Sequence, residues 1–182
     1  YKRQFITAAD LKPIEALFDA LRARGFELIG LFSPSLKIPD AADWIVTQIK
    51  QFKPVCIVNA TSFSGKGTSG VSPLDAGDVP VFQVALSTSN RAAWMEADRG
   101  LSPADMAMHV VLPEVDGRIF AGVASFKEPG KTDKNLEFSR IEHQPDKERI
   151  LAITDTVSRW YKLQTKPLEA QKAALILSTY PG

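Results

Sequence analysis

The sequence predicts an α/β fold, a mostly parallel sheet flanked by helices with one antiparallel strand pair inserted. Continuous apolar, β-branched runs of strand length occur at residues 54–59 (PVCIVN) and 79–86 (VPVFQVAL), and such runs suit strands buried on both faces. Amphipathic helical segments stand around and between them, the alternation that layers helices over a parallel sheet. Two further strand patterns, residues 118–126 and 136–142, are separated only by the polar stretch 128–135, and that spacing makes an antiparallel pair.

Residues 10–24 (DLKPIEALFDALRAR) set Ile14, Leu17, Phe18 and Leu21 on one helical face, with Asp10 as the expected N-cap, Pro13 in the first turn and Gly25 as the stop. Residues 26–32 (FELIGLF) form an apolar run of strand length, and residues 33–39 a loop with two prolines. Residues 40–52 read as a second helix with Ala41, Trp44, Ile45, Ile49 and Phe52 inward. After the strand at 54–59 the pattern breaks: residues 60–78 (ATSFSGKGTSGVSPLDAGD) are rich in Gly, Ser and Thr and hold little core material. The strand at 79–86 follows, then a helix over 90–98. Ser102-Pro103-Ala104-Asp105 is a helix start, a Ser cap with Pro at the first position and an acid in the first turn. That helix is expected to end near His109, and residues 113–117 (PEVDG) to form a turn. Residues 145–163 make a long amphipathic helix, and residues 173–178 (AALILS) a last buried strand. The expected whole is one α/β domain over residues 1–182, layered in the manner of flavodoxin-like and Rossmann-like folds, without internal repeats. The chain opens at Tyr1 and stops just after its last apolar run, so an internal fragment of a much larger protein is expected.

Composition narrows the function. A net charge of +1 creates no strong field for nucleic acid or anionic lipid. No apolar run reaches the roughly 18 residues of a membrane span. Cys56 is the single cysteine, which forbids an intrachain disulfide and points to a reducing, cytoplasmic setting. Ser64-Gly65-Lys66-Gly67-Thr68 invites a nucleotide reading but fails the phosphate-loop pattern twice: Gly67 stands where Ser or Thr should follow the lysine, and Ala60 where the first glycine should be. Cys56, His109 and His143 lack metal-ligand spacing. Cys56, inside an apolar strand, reads as a buried inert thiol, and His143 as a surface residue.

Ligands of open α/β sheets collect outside the carboxyl ends of the strands, here the loops 33–39, 60–78 and 87–90. The longest of these carries Asn59, Thr61, Ser62 and Ser64, amide and hydroxyl groups close to a strand tip; a solvated surface loop is the equal alternative. Asp105 and His109 lie four apart on a helix and so share a face, with Glu114 and Asp116 following at once. A histidine and carboxylates so close together could supply proton acceptors and hard metal ligands. A helix-end ion pair beside an Asp-Gly turn is the competing reading.

Several strings carry a family resemblance: Val58-Asn59-Ala60-Thr61-Ser62-Phe63-Ser64, Pro73-Leu74-Asp75-Ala76, Asp78-Val79-Pro80-Val81-Phe82-Gln83-Val84, and Trp94 with Arg99-Gly100-Leu101-Ser102-Pro103-Ala104-Asp105. The most specific is His109-Val110-Val111-Leu112-Pro113-Glu114 followed by Asp116-Gly117-Arg118-Ile119. These resemble the large, CobN-type subunits of aerobic cobaltochelatase, and the Leu-Pro-Glu and Asp-Gly elements also resemble magnesium chelatase large subunits. The Gly-Lys-Gly insert around residues 65–70 departs from the pattern and leaves the shape of that loop open. The resemblance implies part of a tetrapyrrole-binding catalytic subunit that inserts Co²⁺, as substrate, into hydrogenobyrinic acid a,c-diamide on the way to cobalamin, a ligase forming nitrogen–metal bonds and inactive as an isolated fragment. It implies an AAA+ ATPase and an adaptor subunit as partners, with ATP and Mg²⁺ bound by the partner and not here. Carried onto these residues, it implies Glu114 as the catalytic carboxylate and His109 as its neighbour, both meeting the metal transiently. Asn59, Thr61, Ser62, Ser64, Asp75 and Arg118 are expected at the macrocycle's periphery, with Asp78 a further candidate. The alternatives are a magnesium chelatase segment acting on protoporphyrin IX, a non-catalytic docking domain of such a chelatase, or a free-standing flavodoxin-like binder.

Overall fold

The computed structural model describes residue 6, residues 9–133 and residues 138–176. Its centre is a four-stranded sheet in the order β1-β2-β3-β4. β1 (Ile57–Asn59), β2 (Val81–Leu86) and β3 (Ile119–Asp133) run parallel, and β4 (Phe138–Pro145) returns antiparallel along β3. The mostly parallel sheet, the antiparallel pair and the flanking helices all match the expectation from sequence.

β2 is buried at every position because helices cover both faces. Phe82, Val84 and Leu86 point one way, as the two-residue period requires. They meet α1 (Lys12–Arg22) and the long C-terminal helix α6 (Lys147–Thr165) through Ile14, Leu17, Leu21, Ile150, Ile153 and Val157. On the other face Val81 packs with Ile45 and Ile49 of α2 (Pro39–Phe52). Ala85 packs there with Leu101, Val123 and Phe126, and Trp94 of α3 (Arg91–Glu96) lies against Phe126 with ring centroids 5.3 Å apart. Between these two clusters Gln83 is fully buried.

Two β-bulges shift the register between β2 and β3, the first where Gln83 faces Phe120 but Val84 faces Gly122. Gly122 sits at φ 139°, and a Cβ there would come within 3.2 Å of Ile153. The bulge therefore lets α6 approach the sheet closely, which only glycine permits.

The β1–β2 connection is unusual for a parallel pair. Such a crossover normally holds an α-helix, but residues 60–80 contain only the 3₁₀ turn Pro73–Gly77, closed by a capping box between Ser72 and Asp75. The β2–β3 connection carries α3, then α4 (Pro103–Met106), a π-helical turn (Ala107–Val111) and α5 (Leu112–Val115).

Several expectations are corrected. Residues 26–32 form no strand: Phe26 and Leu28 are half-buried against the core, whereas Ile29 and Phe32 are exposed. An apolar run becomes a strand only beside a partner, and the sheet's near edge, β1, is three residues long. Residues 173–176 likewise form no strand and are exposed, and 177–178 lie outside the described residues. Asp10 does not cap α1, whose N-cap is Leu11; its Oδ1 instead accepts the backbone N–H of His143 at 3.0 Å. Trp44 and Phe52 lie exposed on α2. The helix beginning at Pro103 does not stop at His109 but continues through Val115.

Candidate functional site

The continuation of that helix has a chemical cause. Pro113 within a helix lacks an N–H, and its ring collides with the carbonyl four residues earlier. The π turn widens the coil there: Leu112 N–H donates to the carbonyl of Ala107, five residues back. The next bond in that register would run from residue 113 to Met108, and proline cannot make it. The Met108 carbonyl instead accepts the backbone N–H of Phe63 at 2.7 Å. Single π turns of this kind recur at functional sites.

A second fastening lies just past the helix. The Asp116 carboxylate, almost wholly buried, accepts Ser64 Oγ–H at 2.9 Å and the Gly65 N–H at 2.6 Å, with Lys66 Nζ 3.9 Å away. Gly65 is seated so tightly that a Cβ would meet Ser72 Oγ at 2.9 Å and Leu36 at 3.0 Å. The first turn of the Gly-Lys-Gly insert is thus pinned. The two fastenings, at Met108 and Asp116, bracket His109 and Glu114.

Phe63 itself adopts φ 68° and keeps 47% of its surface exposed. It lines a pocket of about 240 Å³ with Ser33, Pro34, Ser35, Leu36, Lys37, Thr61, Ser62 and Ser64. This pocket lies where the chain leaves the carboxyl end of β1, the position expected for an open α/β sheet.

The expected site residues divide into groups. Asn59 and Thr61 are buried and serve a polar network. Asn59 Nδ2 donates to Gln83 Oε1 at 2.7 Å, Asn59 Oδ1 accepts from Thr61 Oγ1 at 2.9 Å, and Gln83 Nε2 donates to the Thr61 carbonyl at 2.8 Å. Ser62 and Ser64 line the pocket. Asp75 and Arg118 are elsewhere, in a second pocket of about 380 Å³ at the start of β2 and β3, lined also by Asp78 and Asp116. There Arg118 Nη1 donates to Asp75 at 2.6 Å from a side chain only 5% exposed, and its Nη2 has no hydrogen-bond partner among the described residues. The two pockets share no lining residue.

His109 is buried in the π turn, and Glu114 is exposed on α5. Asp105, fully buried one turn before His109, accepts Ser87 Oγ–H at 3.1 Å, Thr88 N–H at 2.9 Å and Thr88 Oγ1–H at 3.0 Å, which ties α4 to the carboxyl end of β2. Among the described residues no group of three or more His, Cys, Asp or Glu side chains is arranged to hold a metal ion.

Outside the site, His143 is not at the surface. It is buried in β4 with Nδ1 3.1 Å from Ser125 Oγ. Burial pushes its imidazole below the ordinary range, Asp10 opposes this, Lys127 adds to it, and Asp105 opposes it. Cys56 is half-buried and burial raises its thiol, which keeps it protonated and unreactive.

Reasoning from sequence misses Gln83, Phe63 and the structural part of Asp116. Pro113 inside a helical pattern is the signal available for the π turn.

All 182 residues match the CobN/Magnesium Chelatase family. The chain belongs to the CobN/magnesium chelatase family. It is 31% identical to the aerobic cobaltochelatase subunit CobN of Sinorhizobium sp. and 32% identical to that of Pseudomonas aeruginosa, in both cases over the whole of this chain. It is 25% identical to a magnesium-chelatase subunit of Rhodobacter capsulatus over 98% of the chain and 16% of that protein. Among solved structures it resembles the catalytic subunit of cobaltochelatase from Mycobacterium tuberculosis, with a TM-score of 0.73 and 28% identity over 91% of this chain and 14% of that one. The chain spans 14% and 15% of the two CobN relatives. Within this CobN-type segment no helix among the described residues is long and apolar enough to cross a membrane.

Proposed function

We propose that this segment forms part of the macrocycle-binding face of a cobaltochelatase catalytic subunit, which inserts Co²⁺ into hydrogenobyrinic acid a,c-diamide, and that Glu114 is its reacting carboxylate. The observation that carries the reading is the placement of Glu114. It is exposed and makes no side-chain hydrogen bond or ion pair among the described residues. It lies in the chain between the two residues, Met108 and Asp116, that fasten a pocket-lining loop, while itself lining neither pocket. Identity to CobN subunits of 31–32%, against 23–25% to magnesium chelatase subunits, favours cobalt over magnesium.

Insertion requires the ring to lose its inner N–H protons and the metal to shed water. An exposed carboxylate assists both, as proton acceptor and as a transient oxygen ligand. His109, buried in the π turn five residues before it in the chain, is the neighbouring imidazole for proton transfer. The energy comes from ATP and Mg²⁺ on an AAA+ partner working through an adaptor subunit, and the complex operates in the cytoplasm.

The test is Glu114→Gln in the full-length subunit. Insertion should fall by about 10²–10⁴, the range of a positioned general base, with ring binding intact. Turnover at the wild-type rate removes Glu114 from the reaction.

A further inference from the structure

We propose that Phe63 is the platform on which the planar ring of the substrate rests, a positioning residue for the insertion reaction; this rests on the macrocycle-binding function proposed above. Among the described residues Phe63 is the one aromatic side chain whose backbone lies at positive φ. Two other positive-φ positions have ordinary explanations: Lys53 closes α2 and Asp78 closes the 3₁₀ turn, each as a left-handed cap. For a bulky residue the left-handed region is strained, and such strain persists only where the surroundings over-determine it. Here they do. The Phe63 N–H is held by the Met108 carbonyl that Pro113 leaves open, and the adjacent Ser64 and Gly65 are held by Asp116. The outcome of the strain is an aromatic side chain kept half in solvent at the wall of the pocket.

The rest of the wall says what that ring would meet. Ser62 and the Lys37 ammonium have no side-chain partner among the described residues, and Ser35, whose Oγ accepts the Lys37 N–H, keeps its own hydroxyl proton to donate; the Ser33 and Ser64 hydroxyls are already spent on the Ser35 carbonyl and Asp116. One aromatic side chain, with Pro34 and Leu36 as further apolar wall and donors from Ser35, Ser62 and a single cation at the margin, suits a flat conjugated ring whose edge bears amides and carboxylates. Offset stacking serves the ring face, while hydroxyl and ammonium donors serve its rim. The lone cation favours a substrate with anionic edge groups over a neutral one. The loop is fastened at Met108 and Asp116, so Phe63 is tied to the same stretch of chain that carries the carboxylate proposed to act on the ring nitrogens.

The experiment uses the full-length subunit and hydrogenobyrinic acid a,c-diamide, with binding followed by the macrocycle's absorbance shift. Phe63→Gly removes the aromatic side chain while relieving the backbone, so the variant should melt at or above the wild-type temperature. It should bind the macrocycle roughly five- to tenfold more weakly, the fold-change expected for one lost aromatic contact, and Phe63→Tyr should restore wild-type binding. Wild-type affinity in Phe63→Gly, or no recovery in Phe63→Tyr, overturns the platform role. A melting temperature several degrees below wild type in Phe63→Gly also overturns it, by assigning the side chain to packing against another part of the subunit. A wild-type subunit that takes up no macrocycle defeats the functional reading itself and the platform with it, whereas a wild type that binds while Phe63→Gly binds equally defeats only the platform.

Discussion

At the scale of single residues, polar groups that look available in the sequence are mostly spent on holding the fold. Asn59 and Thr61 serve Gln83 inside the sheet, Ser64 serves Asp116, and Asp75 neutralises Arg118. A Ser-rich string announces hydroxyls but not their partners: Asp116, which takes the Ser64 hydroxyl, lies 52 positions away. His143 shows the same limit: a strand pattern ending at 142 places it at the surface, yet β4 continues past it to Pro145 and buries it. Its burial has a pH consequence. Unfolded, the imidazole takes up a proton near its ordinary value of about 6.5; folded, burial holds its pKa below that, with Lys127 reinforcing the shift and Asp10 and Asp105 opposing it. Between the two values the unfolded chain binds more protons than the native one, so stability rises with pH across this window. The contribution is full above about 6.5 and is lost as pH falls toward the folded value. Melting temperatures at pH 7.5 and 5.5 should therefore differ more in the wild type than in His143→Gln, and equal differences in the two proteins would refute the assignment.

At the scale of elements, apolar periodicity identifies what packs, and hydrogen-bond partners decide the rest. The strands at 57–59 and 81–86 and the helix at 147–165 are legible because each buries a continuous face. The run at 26–32 misleads because composition cannot show whether a neighbouring edge exists to complete a ladder. The helix expected to end at His109 misleads because proline ordinarily signals a stop, whereas here a widened turn accommodates it. That account is testable. Pro113→Ala supplies the missing N–H, which can close the helix onto Met108 or restore the α register. Either way the Phe63 amide loses a well-matched acceptor, and its hydrogen exchange should quicken by about fivefold, the kinetic equivalent of roughly 1 kcal/mol for a hydrogen bond. Unchanged protection would mean that Pro113 is not what frees the carbonyl.

At the scale of the whole molecule, the sheet order and the two-sided cover of β2 are readable from alternating helices and buried runs, and so is family membership, through the Leu-Pro-Glu and Asp-Gly strings. The division of the expected site into two pockets is not. Residues 60–80 look like one long ligand loop, but they are the crossover between β1 and β2, so their early part reaches one pocket and their late part another. The competing metal assignment is also decided at this scale, because ring selectivity belongs to the assembled subunit. With ligand at about a hundredfold excess over its Kd, a specific ring stabilises its site by roughly 2.7 kcal/mol. Hydrogenobyrinic acid a,c-diamide should raise the unfolding temperature of the full-length subunit and protoporphyrin IX should leave it unchanged; the reverse pattern would assign the chain to the magnesium branch.

Position 113 holds the one coded residue with no hydrogen to give from its backbone. Small, large, charged and apolar replacements differ in every other property, yet all of them reinstate the same donor and compete for the same oxygen. In a saturation scan scored on uptake of the corrin diamide, this site should therefore behave as a single bit, proline against everything else, while its neighbours on the exposed side of the coil grade smoothly with side-chain chemistry.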